Sequence, residues 1–373
     1  MIKIREVEDK DIIPLLEFLP RGFPYTTREF WLHQFNFWWA SNPAYTNQLP
    51  RGWVLDKDST IVGFIGNIPV KFMIHGKTET VAASNSWYVE PSVRGVFSFS
   101  LLHEFMKQKN SSLFLFKTGH DKRIIKIIQK YNYAEYPLPP FQTEFVYLIN
   151  KKNVSGISKK IIFNQKNPEL TESWELIKRF GLLFFSYLYQ KPILRRGTLP
   201  SKSYTSSLCT FCDDSFSTIW EPFLKTCTVA LSHDSETLNW LYFSSTGFYK
   251  RVVIQCHRSY DNILAGYMVF DIKQGKPSNA RVMQLSDICI GDKDPRVLES
   301  LLSFAFEIGK QNNAALLLVW ADSQETEIYF QNAFTLKRNN KHYRYARFSD
   351  APEINTGIGI LSNVCLPMIY PPQ

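Results

Sequence analysis

Ile61-Val62-Gly63-Phe64-Ile65 returns two hundred residues on as Leu264-Ala265-Gly266-Tyr267-Met268, glycine on glycine at a spacing of 203. Landmarks on both sides keep nearly the same offset. Trp39, with Asn42-Pro43 and Tyr45 after it, matches Trp240, which is followed by Ser244-Ser245-Thr246-Gly247 and Tyr249 at an offset of 201. Leu101-Leu102 matches Leu301-Leu302 at 200, residues 108–116 match 311–319 at 203, and Asn132-Tyr133 matches Ala333-Phe334 at 201. One order of landmarks with offsets confined to 200–203 marks two domain-sized copies, not a solenoid with a period of tens of residues.

Each copy has the same element order. Ile2, Ile4 and Val7 predict a first strand; Asp9 or Asp11 caps a helix carrying Ile12, Ile13, Leu15, Leu16 and Leu19, with Pro14 tolerable only in its first turn. Residues 53–55 and 61–65 alternate around Lys57-Asp58-Ser59 as a hairpin does, and residues 70–74 and 80–89 continue an antiparallel meander. Leu101, Leu102, Phe105 and Met106 have helical spacing, residues 113–116 are a short buried strand, and residues 121–131 are a second helix with Ile124, Ile125, Ile127 and Ile128 inward. The domains expected are 1–140 and 213–350. Between them, residues 141–212 form a linker opened by Pro137, Pro139 and Pro140, with a bridging helix over 169–189; residues 351–373 are a tail.

Composition removes several classes. With 45% hydrophobic and 21% charged residues, the chain of 373 residues is neither disordered nor membrane-integral. No run nears the ~20 apolar residues of a spanning helix, and the start has no signal-peptide core; a cytoplasmic protein is expected. Six cysteines form no disulfide framework. The net charge of +9 is scattered, with no module for DNA, so an anionic substrate or a phosphate-bearing cofactor fits it equally well. Cys209-Thr210-Phe211-Cys212 is a single CxxC without a second pair, there is no HExxH or Walker A pattern, and no metal is expected.

Four segments carry a resemblance: the opening strand and helix (2–19), the turn Pro91-Ser92-Val93-Arg94-Gly95-Val96, the segment 121–133 and its second copy 322–334. Together they resemble the acyl-CoA N-acyltransferase fold, the GNAT superfamily, present twice. The resemblance implies an α/β (α+β) chain of two GNAT-like domains, each a mixed, mostly antiparallel sheet flanked by helices. It implies transfer of an acyl group, acetyl first among candidates, from coenzyme A to a small-molecule primary amine such as an amino sugar or a metabolite. Stable membrane insertion is not expected, and an oligomer is left open. Two rivals are an aminoacyl transferase of the peptidoglycan-bridge type, using charged tRNA, and a decayed binding protein.

The candidate residues follow from chemistry. A helix start has free N–H groups and partial positive charge, which suits a pyrophosphate. Arg94-Gly95 and Ser98 suit such a turn, while Val96, Phe97 and Phe99 put bulk where the family has small residues. The cofactor is therefore expected at Val89, Arg94, Gly95, Val96, Phe97 and Ser98. In the second copy the turn holds Asp292 and Asp294, whose charges repel a pyrophosphate. Acyl transfer also needs a base for the amine and an acid for the leaving thiolate. The family often uses a tyrosine in the last helix as the acid; its place is Ile128 in the first copy and Tyr329 in the second. Base candidates are Glu90, at the end of the first copy's strand, and Asp287, on the second copy's matching strand; His120 is a candidate proton relay. The aromatic cluster Phe30, Trp31, Phe35, Phe37, Trp38 and Trp39 is read as a core or as the wall of a substrate pocket.

Overall fold

The computed structural model describes residues 1–24, 26–117, 122–131, 133–136, 143–150, 203–224, 229–244, 250–274, 280–292, 294–321, 324–333, 336–339 and 344–348. These fall into two units, one drawn from Met1–Pro137, Leu224–Phe248 and His342–Gln373, the other from Leu138–Phe223 and Tyr249–Lys341. The expected bridging helix over 169–189 lies outside the described residues.

The first unit opens with β1 (Ile2–Glu6), paired antiparallel with β2 (Gly52–Lys57) from Ile2↔Lys57 to Glu6↔Trp53. Between them, a single turn at Asp9–Asp11 leads into α1 (Ile12–Gly22) through reciprocal capping by Glu8 and Asp11. Asp11 is buried, and both its oxygens accept from Arg5, at 2.6 and 2.8 Å. Burial pushes this carboxyl up, but the Arg5 hydrogen bonds and the Glu8 N–H outweigh it and hold it below the usual range. Next comes α2 (Arg28–Phe35), capped by Thr27. The aromatic cluster that follows is core: Phe30, Trp31, Phe35, Phe37, Trp38 and Trp39 are all buried, though Phe35 and Trp39 also line an open cavity of about 490 Å³ with Tyr45 and Arg51.

The meander continues as β3 (Thr60–Ile74) and β4 (Lys77–Val89). The two short strands expected at 61–65 and 70–74 are one 15-residue strand running through Pro69. Between Gly66 and Phe72, no described strand pairs with β3 on its β2 side, and an edge is where a strand tolerates proline. The repeated glycine has a packing reason: a Cβ on Gly63 meets the Leu55 side chain at 2.6 Å, and one on Gly266 meets Val297 Cγ1 at 2.9 Å. Helix α3 (Val96–Met106) lays Leu101, Leu102 and Phe105 on the sheet, and α4 (Lys122–Lys130) adds Ile128 beside β5 (Leu113–Lys117) and β6 (Ala134–Tyr136).

The second unit repeats the plan. Strands β8 (Tyr204–Cys209), β10 (Lys250–Arg258), β11 (Leu264–Gln274), β12 (Arg281–Ile290), β13 (Ala314–Trp320) and β14 (Leu336–Asn339) occupy the places of β1 to β6. Helix Asp214–Leu224 stands for α1, Pro295–Gln311 for α3 and Gln324–Ala333 for α4. The long helix Pro295–Gln311 buries Val297, Leu301, Leu302 and Ala305 on this sheet.

The units are not the contiguous stretches expected. The strand order of the first sheet is β1-β2-β3-β4-β5-β15-β6, where β15 is Arg344–Phe348; that of the second is β8-β10-β11-β12-β13-β7-β14, where β7 is Thr143–Leu148. So β7, in the expected linker, completes the second sheet, and β15, placed by sequence in the second domain, completes the first. β8 likewise begins inside the expected linker. Strand β9 (Val229–Leu231) and the helix Ser235–Phe243 also join the first unit. β9 pairs with the far end of β3, and Trp240 stacks on Phe37 at 4.8 Å with its indole donating to the Phe37 carbonyl. The free end of the long β3 is what recruits this segment.

A chain ending at residue 343 lacks β15, leaving β5 and β6 without their shared partner. Hydrogen exchange of Leu113–Lys117 amides is expected to speed up sharply, with β11 and β12 protection retained; unchanged protection of β5 would show that β15 is dispensable.

Candidate functional site

A parallel pair of strands is the starting point in each unit, because in each it comes apart. Among the described residues β4 pairs with β5 only at Ala82↔Phe114 and Ala83↔Leu115, then runs six residues further to Val89. β12 pairs with β13 only through Gln284↔Leu318 and runs on to Ile290. A bulge follows each parting. Gly66 faces Asn85 and Phe64 faces Tyr88, so Ile65 is opposed by both Ser86 and Trp87, with Ser86 at φ 53°. In the second unit Phe270 faces Leu285 and Val269 faces Asp287, which leaves Ser286 as the extra residue. A bulge bends its strand and increases the local twist, so the sheet opens at one place, marked by serines exactly 200 positions apart.

The opening strand then delivers the chain to a helix start. In the first unit Val89 ends β4, and Glu90 accepts from Arg21 at 3.0 Å. Arg94 bends back over the Tyr88 ring, its Nε donating to the Val89 carbonyl at 2.8 Å. Gly95 is the N-cap, at φ 100°, a conformation that favours glycine. The Ser98 and Phe99 N–H groups turn back to the Gly95 carbonyl. The amides of Val96 and Phe97 come before any helix carbonyl can reach them. Val96 is 77% exposed, while Phe97 packs down against the core. This helix start is therefore open to solvent.

In the second unit the same helix start is closed. Pro295 lacks an N–H, and Asp294 caps the Arg296 amide at 2.9 Å while gripping the Arg296 guanidinium. Hydrogen bonding from that guanidinium holds the Asp294 carboxyl down at about 2. The Tyr204 hydroxyl contacts both Asp292 and Asp294, and burial together with those charges pushes its phenol up to about 12. A carboxylate thus stands where an anion would dock. The sheet opening is crossed too: Trp320 Nε1, at the end of β13, donates to the Leu285 carbonyl at 2.8 Å.

Buried polar groups differ accordingly. In the first unit the Trp87 indole N–H and the Asn85 side-chain N–H are buried without a hydrogen-bond partner among the described residues. Trp87 meets Phe116 edge-on at 5.8 Å, across the opening. In the second unit, Asp287 takes the place of Trp87; it is wholly buried, and one oxygen accepts from the Ile288 N–H at 2.8 Å. Tyr329 lies against the second core with its hydroxyl unpartnered among the described residues, and burial pushes its phenol upward, with Glu299 adding to the effect. It keeps its proton at neutral pH. In the first unit Ile128 fills that place, fully buried. His120 lies outside the described residues. The sequence thus placed Val89, Arg94, Gly95, Val96, Phe97, Ser98 and Glu90 at one turn, as found. It missed Trp87, Trp320 and the bulge serines, of which the repeated serine at a spacing of 200 was the available signal.

Among the described residues there is no group of three or more His, Cys, Asp or Glu side chains that could hold a metal ion, and no helix long and apolar enough to cross a membrane. No protein family matches the sequence, and no curated protein matches it. Solved structures do. The chain is similar to a GCN5-related N-acetyltransferase from Anabaena variabilis (9% identity, 94% of this chain and 73% of that one, TM-score 0.57). It is similar to one from Kribbella flavida (11% identity, 94% and 72%, TM-score 0.56). It is also similar to Saccharomyces cerevisiae N-myristoyltransferase with bound myristoyl-CoA (12% identity, 93% and 82%, TM-score 0.53). The fold is that of the acyl-CoA N-acyltransferases, with two mixed sheets flanked by helices.

The Asp294 cap is testable by itself. Asp294→Ala is expected to cost ~1 kcal/mol at pH 7. The folded carboxyl, at about 2, sits below the usual value near 3.9, so its contribution is complete above pH ~4 and lost as pH falls toward 2. Urea titrations of wild type and variant should differ at pH 7 and converge near pH 2; a gap that persists at pH 2 contradicts this account.

Proposed function

We propose that the chain is an acyl-CoA-dependent N-acyltransferase that holds coenzyme A on its first unit. One contrast carries the reading: the helix start after β4 is open and next to a gap in its sheet, while its counterpart is filled by Asp294, Pro295 and Trp320. The Val96 and Phe97 amides, with the positive end of α3, suit the pyrophosphate. Among the described residues no strand pairs with the β5-side edge of β4 beyond Ala83, and it offers backbone groups to the amide-bearing arm that links pyrophosphate to thioester. The buried Trp87 and Asn85 donors, each costing ~1–3 kcal/mol while unsatisfied, suit an acceptor oxygen brought in by such a ligand.

The acceptor proposed is a small primary amine, an amino sugar or metabolite, and the acyl group acetyl. Transfer proceeds by attack of the neutral amine on the thioester carbonyl, with loss of the amine proton and protonation of the departing thiolate. Glu90, beside the turn, is the proposed base of the first unit, and His120 the proposed relay. Ile128 supplies no acid there, so much of the rate comes from holding amine and thioester together. Asp287 and Tyr329 are the proposed base and acid places of the second unit, whose own cofactor turn is closed.

Acetyl-CoA at about 100 times its dissociation constant should stabilise the protein by ~2.7 kcal/mol, read as a rise in melting temperature; myristoyl-CoA is run beside it to set the acyl length. Gly95→Glu and Val96→Glu should each abolish the rise, the second at an exposed site without backbone strain. Glu90→Gln should cut turnover with a panel of amines ~10²-fold or more with acyl-CoA affinity kept. Tyr329→Phe and Asp287→Asn should leave that affinity unchanged. A melting shift that survives both turn variants removes coenzyme A from this unit; no shift with any acyl-CoA leaves the decayed reading.

A further inference from the structure

We propose that Cys209 and Cys212 form a dithiol that is oxidised reversibly to a disulfide. The second unit's first strand, β8, ends at Cys209, and two exposed residues, Thr210 and Phe211, turn the chain into the helix Asp214–Leu224. Both thiols are buried directly beneath that exposed turn. They are hydrogen-bonded to each other, and the Cys209 thiol also contacts the Phe211 carbonyl at 3.1 Å. Two sulfurs already in contact across a four-residue turn need side-chain rotation more than backbone movement to bond.

The two thiols act on each other and differ in access. The hydrogen bond from Cys212 holds the Cys209 thiol below its usual value, whereas Cys212 is pushed far up by the Cys209 sulfur and by burial, with Asp213 and Asp287 adding negative charge. A dithiol works in exchange when one sulfur attacks and the other resolves, and access assigns the roles: Cys209, at the strand end, keeps 7% of its surface exposed, while Cys212 is wholly buried. Cys256, in mid-strand, has no cysteine for a neighbour in sequence; burial pushes it up against hydrogen bonds with Ser206 and Ser300. A soft-metal reading lacks ligands, since no third His, Cys, Asp or Glu joins the pair among the described residues. His257 is a few residues along the neighbouring strand, where its register partner is Thr205 and not Cys209.

The oxidant is a low-molecular-weight disulfide. The Cys209 thiolate attacks one of its sulfurs, breaking that S–S bond and releasing one small thiolate, which takes a proton. Cys212 then loses its proton and attacks the Cys209 sulfur, releasing the second small thiol. Two protein thiols are oxidised, and one disulfide is reduced to two thiols.

The test uses the full chain. Reduced protein is treated with oxidised glutathione, free thiols are alkylated, and the peptide containing both residues is weighed. The expected result is loss of two alkylation sites of the six and of two hydrogens, both restored by dithiothreitol. Cys212→Ser should trap a glutathione adduct on Cys209, and Cys209→Ser should leave Cys212 unmodified. Alkylation of both thiols after wild-type oxidation, or a disulfide formed elsewhere in preference, overturns the proposal without recourse to either variant. The thiol count involves neither coenzyme A nor an acceptor, so it succeeds or fails apart from the proposed transfer.

Discussion

Each sheet depends on a strand delivered from outside its own repeat. A strand inserted between two others must satisfy hydrogen bonds on both edges and bury side chains on both faces, and β7 meets both demands. It pairs with β13 and β14, puts Phe145 and Tyr147 into the main core of the second unit, and puts Val146 and Leu148 into a smaller cluster. Its buried Glu144 is satisfied by Gln284 at 3.1 Å. β15 holds the same place between β5 and β6 in the first sheet. The duplication thus produced two copies that complete each other through backbone pairing.

On that shared frame the copies have parted at one spot. Both keep the bulge that opens the sheet beyond the parallel pair, because the opening follows from backbone geometry. The side chains that face it have diverged. In the second unit, proline, a carboxylate cap and an indole take up the free amides and the first free carbonyl. In the first, a glycine at positive φ and a solvent-exposed turn leave them available, and the buried Trp87 and Asn85 donors have no acceptor among the described residues. Both states are consistent with folding because the cost of an unsatisfied donor, a few kcal/mol at most, is small beside a core as large as that under α3.

Much of the frame was legible because periodicity reports local structure. Helix and strand positions came from the spacing of apolar residues, and the repeat from constant offsets. Strand partners are not local. Residues 143–148 looked like the edge of a linker because Pro137, Pro139 and Pro140 precede them, and nothing in Thr-Glu-Phe-Val-Tyr-Leu names a partner strand so far along the chain. By sequence, residues 229–243 belong with the second copy, yet the far end of β3 and the Phe37 ring claim them. At the site, the turn was legible from Arg94-Gly95. Trp87 and Trp320 were not, because a tryptophan in a strand signals burial while saying nothing of where its N–H points.

The place of β15 sets a schedule for the newborn chain. About 230 residues separate Lys117, the end of β5, from Phe348, the end of the strand that covers it. At ~5–20 residues per second, a ribosome takes ~10–50 s to traverse them. Throughout that interval the outer edge of β5 is a bare row of amides and carbonyls on an apolar ribbon, Leu-Phe-Leu-Phe. Such an edge is a template for another strand, so the late arrival of β15 fixes how long that template stays on offer.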